Sequence, residues 1–227
     1  MCGRFSITGD LDFYAEYFGV DEVLTEPLDK SWNVAPTDRV YVIAERGGAR
    51  QLGSMRWGLV PHWANDVKTI HINARSETVA TTPAFRDSFA RKRCLIPADG
   101  FYEWEPPEEG RTPHWVYRAD GHPMVFAGLW ASRLDPETGD WQRTCSIITT
   151  EAEGVISSIH DRMPVSLVPE VWDAWLDRDL EDPETVGSLL RVIDPDSIME
   201  HTVSREVNAV RNNRPGLNDP VEPETLF

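Results

Sequence analysis

The chain has 227 residues, 41% of them hydrophobic, with 38 acidic against 22 basic residues and a formal net charge of −16. That is apolar material for a full core, and the lack of repeats or long polar linkers points to one domain over 1–227, with 217–227 as a polar tail. No apolar run reaches membrane-spanning length and no basic segment leads into an apolar one, which excludes a membrane span and a secretory leader and points to a cytoplasmic monomer.

The first unusual feature is Cys2, directly after Met1. Loss of Met1 makes Cys2 the N-terminus and puts a free α-amine, reference pKa about 7.7–8.0, beside a thiol on one residue. Such an aminothiol acts as a nucleophile with its own base, or condenses with an aldehyde through an imine to a five-membered thiazolidine. The plainer alternative is a small residue near a start codon. Gly3 leaves room for a substrate to approach. Cys94 and Cys145 lie in apolar runs and read as core; three scattered cysteines suit neither a disulfide framework nor a zinc site, and no cofactor is called for.

A strand is expected over 3–8, then a helix over 11–18 capped by Asp10 and stopped by Gly19. Residues 33–37 read as a loop, and 40–45 with 51–57 as a hairpin around Arg46-Gly47-Gly48. In the rigid turn at 57–63, Trp57 reads as core and Trp63 as an exposed stacking platform. Asn73 and Arg75, two apart at a strand end, share a face if extended and pair an amide with an anion-holding guanidinium. A helix after Thr82 carries Phe85 and Phe89 on one face and exposes Arg86, Arg91, Lys92 and Arg93, the most basic stretch, which a solvated helix face also explains.

Period-two alternation over 101–105 sets Phe101, Glu103 and Glu105 on one face and Tyr102 and Trp104 on the other. Among aromatics the neutral form of the Glu103 carboxyl is favoured, which suits a general acid and base; a salt-bridged surface glutamate is the alternative. Strands at 114–118, 124–130 and 143–149 follow, making a strongly β core. A short helix at 151–158 leads to His160-Asp161-Arg162, where His160 is the histidine best placed for proton transfer. Helices at 169–176, 183–192 and 202–210 read as closing scaffold.

Only three of the 22 basic residues are lysines. An acidic, lysine-poor surface is what a high-salt cytosol selects for solubility, and a GC-rich genome also favours Arg over Lys; a halophilic source is the expectation. The negative charge then reports the compartment, and any nucleic-acid surface must be local.

Read in order, residues 2–5, 33–37, 57–61, 73–77, 93–104, 126–130 and 160–164 together resemble the SRAP family (SOS-response-associated peptidase) over nearly the whole chain. The resemblance implies an α+β fold, a single β-rich domain with twisted antiparallel sheets, a barrel-like core and flanking helices. It also implies an abasic-site sensor in single-stranded DNA that forms a covalent crosslink through Cys2 after loss of Met1, with an associated thiol autopeptidase activity. By the same resemblance Cys2 is the nucleophile, Asn73 positions its amine and the sugar, and Glu103 and His160 transfer protons. Arg4, Arg75 and Arg162 would hold phosphates, with Arg86 in the basic stretch, while Trp63 and Trp104 would contact bases. Two other classes remain open: a noncovalent reader of single-stranded or modified DNA, and an N-terminal-nucleophile glutamine amidohydrolase, for which no partner domain is seen.

Overall fold

The computed structural model of the chain describes residues 2–64, 69–106, 111–135, 138–191 and 193–221. In chain order the strands are β1 (Arg4–Ile7), β2 (Glu22–Val23), β3 (Ser31–Val34), β4 (Arg39–Arg46), β5 (Ala49–Trp57), β6 (Asn73–Arg75) and β7 (Arg93–Ala98). They continue with β8 (Gly100–Trp104), β9 (Pro113–Arg118), β10 (Met124–Leu134), β11 (Trp141–Glu151), β12 (Arg162–Pro164) and β13 (Ile198–Thr202). Four short helices flank them: α1 (Leu11–Tyr17), α2 (Arg86–Arg91), α3 (Trp172–Leu176) and α4 (Pro183–Ser188). Among the described residues no helix is long and apolar enough to cross a membrane.

Two sheets build the β-rich core. One has the order β13-β9-β8-β1-β3. In the other, β11, β10, β7, β4 and β5 run in sequence, and a parallel pairing of β5 with β11 closes them into a five-stranded barrel, Arg56 opposite Thr144 and Trp57 opposite Cys145. Closure removes the open edges that would otherwise invite pairing with another chain. The hairpin expected at 40–57 is β4 and β5, joined through Gly47 and Gly48 at φ 65° and 79°, the left-handed pair that a two-residue turn requires.

Aromatic packing joins the sheets. Phe5, from β1, meets Trp57 edge-on at 4.9 Å between ring centroids and Phe126 at 6.0 Å. Cys94 and Cys145 are buried in the barrel, as the apolar runs around them imply. The N-terminal strand is therefore a core element, and the position of its first residue follows from that packing.

Four local expectations give way to tertiary pairing. Residues 33–34 are strand because β3 pairs with β1. The stretch read as helix from 151 begins as strand, since Thr150 and Glu151 pair with Met163 and Arg162, and only Gly154–Ser158 coil as a 3-10 turn. Residues 202–210 contain no α-helix: β13 ends at Thr202, and a 3-10 turn spans Arg205–Asn208, its Val207 packed with Tyr102, Trp115, Val203 and Leu217. The helix expected at 183–192 ends at Ser188, and residue 192 lies outside the described residues.

Arg93, expected exposed, departs from its expectation as well. It opens β7, is only 3% exposed, and its guanidinium donates to the carbonyls of Phe89, Ala90, Trp175, Asp177 and Leu180. One cation thus satisfies the carbonyl ends of α2 and α3 together, where the helix dipoles favour positive charge. Of the expected polar tail, Leu217 is buried and Pro220 bridges Val203, while 222–227 lie outside the described residues.

Gly100 sets the spacing of β8 against β9. A Cβ there would lie 2.4 Å from the Val116 carbonyl oxygen and 2.6 Å from the Trp115 ring, so the two strands would have to part. Gly100→Ala is expected to destabilise the fold by about 2–3 kcal/mol in urea unfolding; a change below about 0.5 kcal/mol would show that the strands absorb the methyl group.

Candidate active site

The β1–β8 ladder places Arg4 opposite Tyr102 and Phe5 opposite Phe101. One residue further along that register, Gly3 comes beside Glu103, so the start of the chain runs along the strand that carries the candidate acid. From the barrel side, Asn73 Nδ2 donates to the Cys2 carbonyl at 3.0 Å. Asn73 is fixed in turn by β6, which pairs in parallel with β11, Asn73 opposite Ile147. Cys2 is thus tied between the two sheets. Its neighbour Met1 lies outside the described residues.

A cleft of about 750 Å³ opens here, lined by Arg4, Glu103, Trp104, Arg111, His160 and Asn208 among others. Glu103 is 3% exposed, and burial raises its carboxyl pKa above the ordinary value, against the opposing pull of a positive charge on nearby His160. Cys2 is fully buried; burial, then the Glu103 charge, push its thiol pKa up, while the Arg4 amide facing the sulfur opposes the shift. The resting thiol is therefore neutral, and a proton acceptor is needed to release its nucleophilicity.

His160 is held through Nδ1, which accepts the Arg162 backbone N–H at 3.0 Å and lies 2.7 Å from Asp161 Oδ1. The two contacts are alternatives. A neutral ring accepts from the amide, whereas an imidazolium gives its Nδ1–H to the carboxylate. Either way the ring orientation is set.

Arg4 is tied inward rather than left at the surface. Its Nη1 donates to Asn33 Oδ1 at 2.7 Å and to the Val207 carbonyl at 3.0 Å, and the guanidinium lies 5.8 Å from the Trp104 ring centroid. Asn33, part of a stretch read as loop, is the hub: its Nδ2 donates to the carbonyls of Val207, Ala209 and Asn212 and so fixes the cleft wall that carries Asn208. Asn208 and Arg111 were invisible to motif reasoning, because the one belongs to a turn placed by Asn33 and the other to a loop, where it adopts φ 54°.

The expected phosphate and base contacts divide. Trp104 and Arg4 line the cleft. Arg75 and Arg162 flank the end of β11, opposite Thr149 and Glu151. Arg75 is exposed, but Arg162 is forked onto Glu77 at 2.7 and 3.0 Å and also donates to the Thr149 carbonyl at 2.7 Å. That fork holds the Glu77 carboxyl below its ordinary pKa. Trp63, 55% exposed in the turn after β5, and Arg86, on α2 beside Asp87, do not line the cleft. No group of three or more His, Cys, Asp or Glu residues placed for a metal ion occurs among the described residues.

The family model for SOS response associated peptidase (SRAP) matches residues 1–210. The chain belongs to the SRAP family. Among its relatives, the abasic site processing protein YoqW of Bacillus subtilis is 40% identical over 96% of this chain and 98% of its own length. The abasic site processing protein YedK of Escherichia coli is 31% identical over 97% and 100%, and the abasic site processing protein HMCES of Gallus gallus is 32% identical over 85% and 66%. A crystal structure of a protein from Bacteroides thetaiotaomicron superimposes with a TM-score of 0.86 at 24% identity, covering 97% of this chain and all of that one, which shows the shared SRAP fold. A phage-related protein from Bordetella bronchiseptica gives 0.71 at 27% identity over 90% and 95%.

The raised pKa of Glu103 has a stability consequence within this SRAP fold. The folded chain keeps the proton at pH values where the unfolded chain has lost it, so the contribution is present below the unfolded pKa and is lost as pH rises through the folded one. Glu103→Gln, which mimics the protonated carboxyl, is expected to melt above wild type at pH 8, with the gap shrinking toward pH 4. A gap independent of pH in thermal melts would contradict this account.

Proposed function

We propose that the protein senses abasic sites in single-stranded DNA and captures them covalently through Cys2 once Met1 has been removed, shielding the lesion during the response to DNA damage. The observation that carries the reading is the amide of Asn73. Its Nδ2 donates to the Cys2 carbonyl while its buried Oδ1 has no hydrogen-bond partner among the described residues. A buried, unsatisfied acceptor is costly, and the α-amine of a processed Cys2 is a donor on the residue that the same amide already holds. The abasic-site names of the relatives agree with this reading.

An abasic sugar is a cyclic hemiacetal in equilibrium with an open aldehyde. Glu103, whose burial favours the protonated form, gives its proton to the ring oxygen as the C1′–O bond breaks, and His160 takes the proton of the C1′ hydroxyl. The Cys2 amine then attacks the aldehyde, and loss of one water leaves an imine. The thiol proton passes through the Glu103 carboxylate to the imine nitrogen as sulfur bonds to C1′, closing the thiazolidine. An imine alone leads to strand scission by β-elimination; thiol capture suppresses it. Removal of Met1, whether self-catalysed, in keeping with the word peptidase in the family's description, or carried out by another enzyme, must come first.

Both residues that hold the machinery can be tested. Cys2→Ala is expected to abolish the heat-stable crosslink to an abasic oligonucleotide while retaining an imine that borohydride traps, with strand scission replacing protection. Asn73→Ala is expected to slow crosslinking about 100-fold through lost orientation. Undiminished crosslinking by Cys2→Ala on denaturing gels would refute the assignment of Cys2, and binding by the wild-type chain without any crosslink would leave a noncovalent reader of the strand.

A further inference from the structure

In a chain of net charge −16, one groove away from the cleft carries the opposite sign. It lies where the starts of β4 and β11 meet the end of β5, at the mouth of the barrel. A depression of about 370 Å³ there is lined by Arg39, Ser54, Arg56, Trp141, Gln142, Arg143 and Thr144, with no acid among them. It continues past Trp130 to Arg46, with Glu45 the acid beside that extension. Among the described residues no ion pair joins Arg39, Arg56 or Arg143 to a carboxylate.

The register makes this concentration costly without a ligand. Arg39 and Arg56 are directly opposite on the antiparallel β4–β5 pair, where like charges repel, and Arg56 is opposite Thr144, next to Arg143, on β11. An anion placed among the three turns that repulsion into attraction. Trp141, 64% exposed, presents a ring to solvent beside them. Arginines around an exposed indole are the two halves of single-strand recognition, cations for the phosphates and a flat surface for a base.

We propose that this mouth of the barrel is a second, noncovalent binding surface for single-stranded nucleic acid. The inference deepens the proposed function by giving the same polymer another hold, and it does not depend on Cys2. Arg143 is four residues along β11 from Ile147, the partner of Asn73, or about 13 Å at 3.3 Å per residue. That is the length of roughly four stacked nucleotides.

The test is fluorescence anisotropy of an undamaged single-stranded oligonucleotide across a salt series, so that crosslinking plays no part. The double variant Arg56→Gln/Arg143→Gln is expected to bind about tenfold more weakly at low salt and to lose about 1.4 from the slope of log K against log[salt], roughly 0.7 for each phosphate contact removed. Trp141→Ala is expected to weaken binding at least about fivefold, the loss of one stacked base. Both should keep the wild-type circular dichroism spectrum and full crosslinking at saturating abasic DNA. Unchanged affinity and slope would overturn the proposal. So would poly-glutamate competing as well as the oligonucleotide together with indifference to Trp141→Ala, which would mark the groove as a dock for acidic protein. Arg143→Glu serves as a second variant should the double change disturb folding.

Discussion

The hydrogen bond from Asn73 to the Cys2 carbonyl is the constraint on which the site depends. It crosses between the two sheets, holding the first residues of β1's segment to β6 on the barrel. Without it the segment ahead of Arg4 would have only the end of the β1–β8 ladder to fix it, and strand ends fray. The packing of Phe5 on Trp57 and Phe126 delivers the terminus to within reach of that amide. The oily core and the polar site are thus parts of one positioning device.

Burial then decides the chemistry. The enclosure that raises the Cys2 thiol pKa also raises that of the Glu103 carboxyl, so burial makes both groups hold their protons more tightly than they would at the surface. A surface glutamate would have neither the raised pKa nor the aromatic walls. Arg4, drawn inward by Asn33 and Val207 and laid against Trp104, keeps a positive charge at the cleft in a strongly acidic chain. Of the other cations, Arg162 is committed to Glu77 and Arg93 to five carbonyls, while Arg39, Arg56 and Arg143 gather at the barrel mouth.

The strands with strong alternation or a turn signature were legible: the hairpin around Gly47-Gly48, the 101–104 strand and the apolar runs of Cys94 and Cys145 all stand where their patterns put them. Proximity of Glu103 to the chain start could not be read from spacing, because it arises from β1 pairing with β8 almost a hundred residues away. The misread stretches share one cause. Residues 202–210 and 151–158 have helical periodicity, but pairing with β9 and β12 and packing on Tyr102 satisfy their backbone and apolar groups better than a local helix. Arg93 looked like a solvated charge because helix-face reasoning cannot see two carbonyl ends converging on one guanidinium. Asn33 looked like a turn residue for the same reason, since the carbonyls its Nδ2 donates to lie more than 170 positions on.

The account rests on one covalent event at one residue, and intact mass spectrometry of the purified protein, before and after incubation with a single-stranded oligonucleotide bearing one abasic site, tests it most directly. The expected result is a chain lighter by Met1 that gains the mass of one oligonucleotide less one water, with the new bond mapping to Cys2. A chain that lacks Met1, binds the oligonucleotide and gains no mass would contradict it.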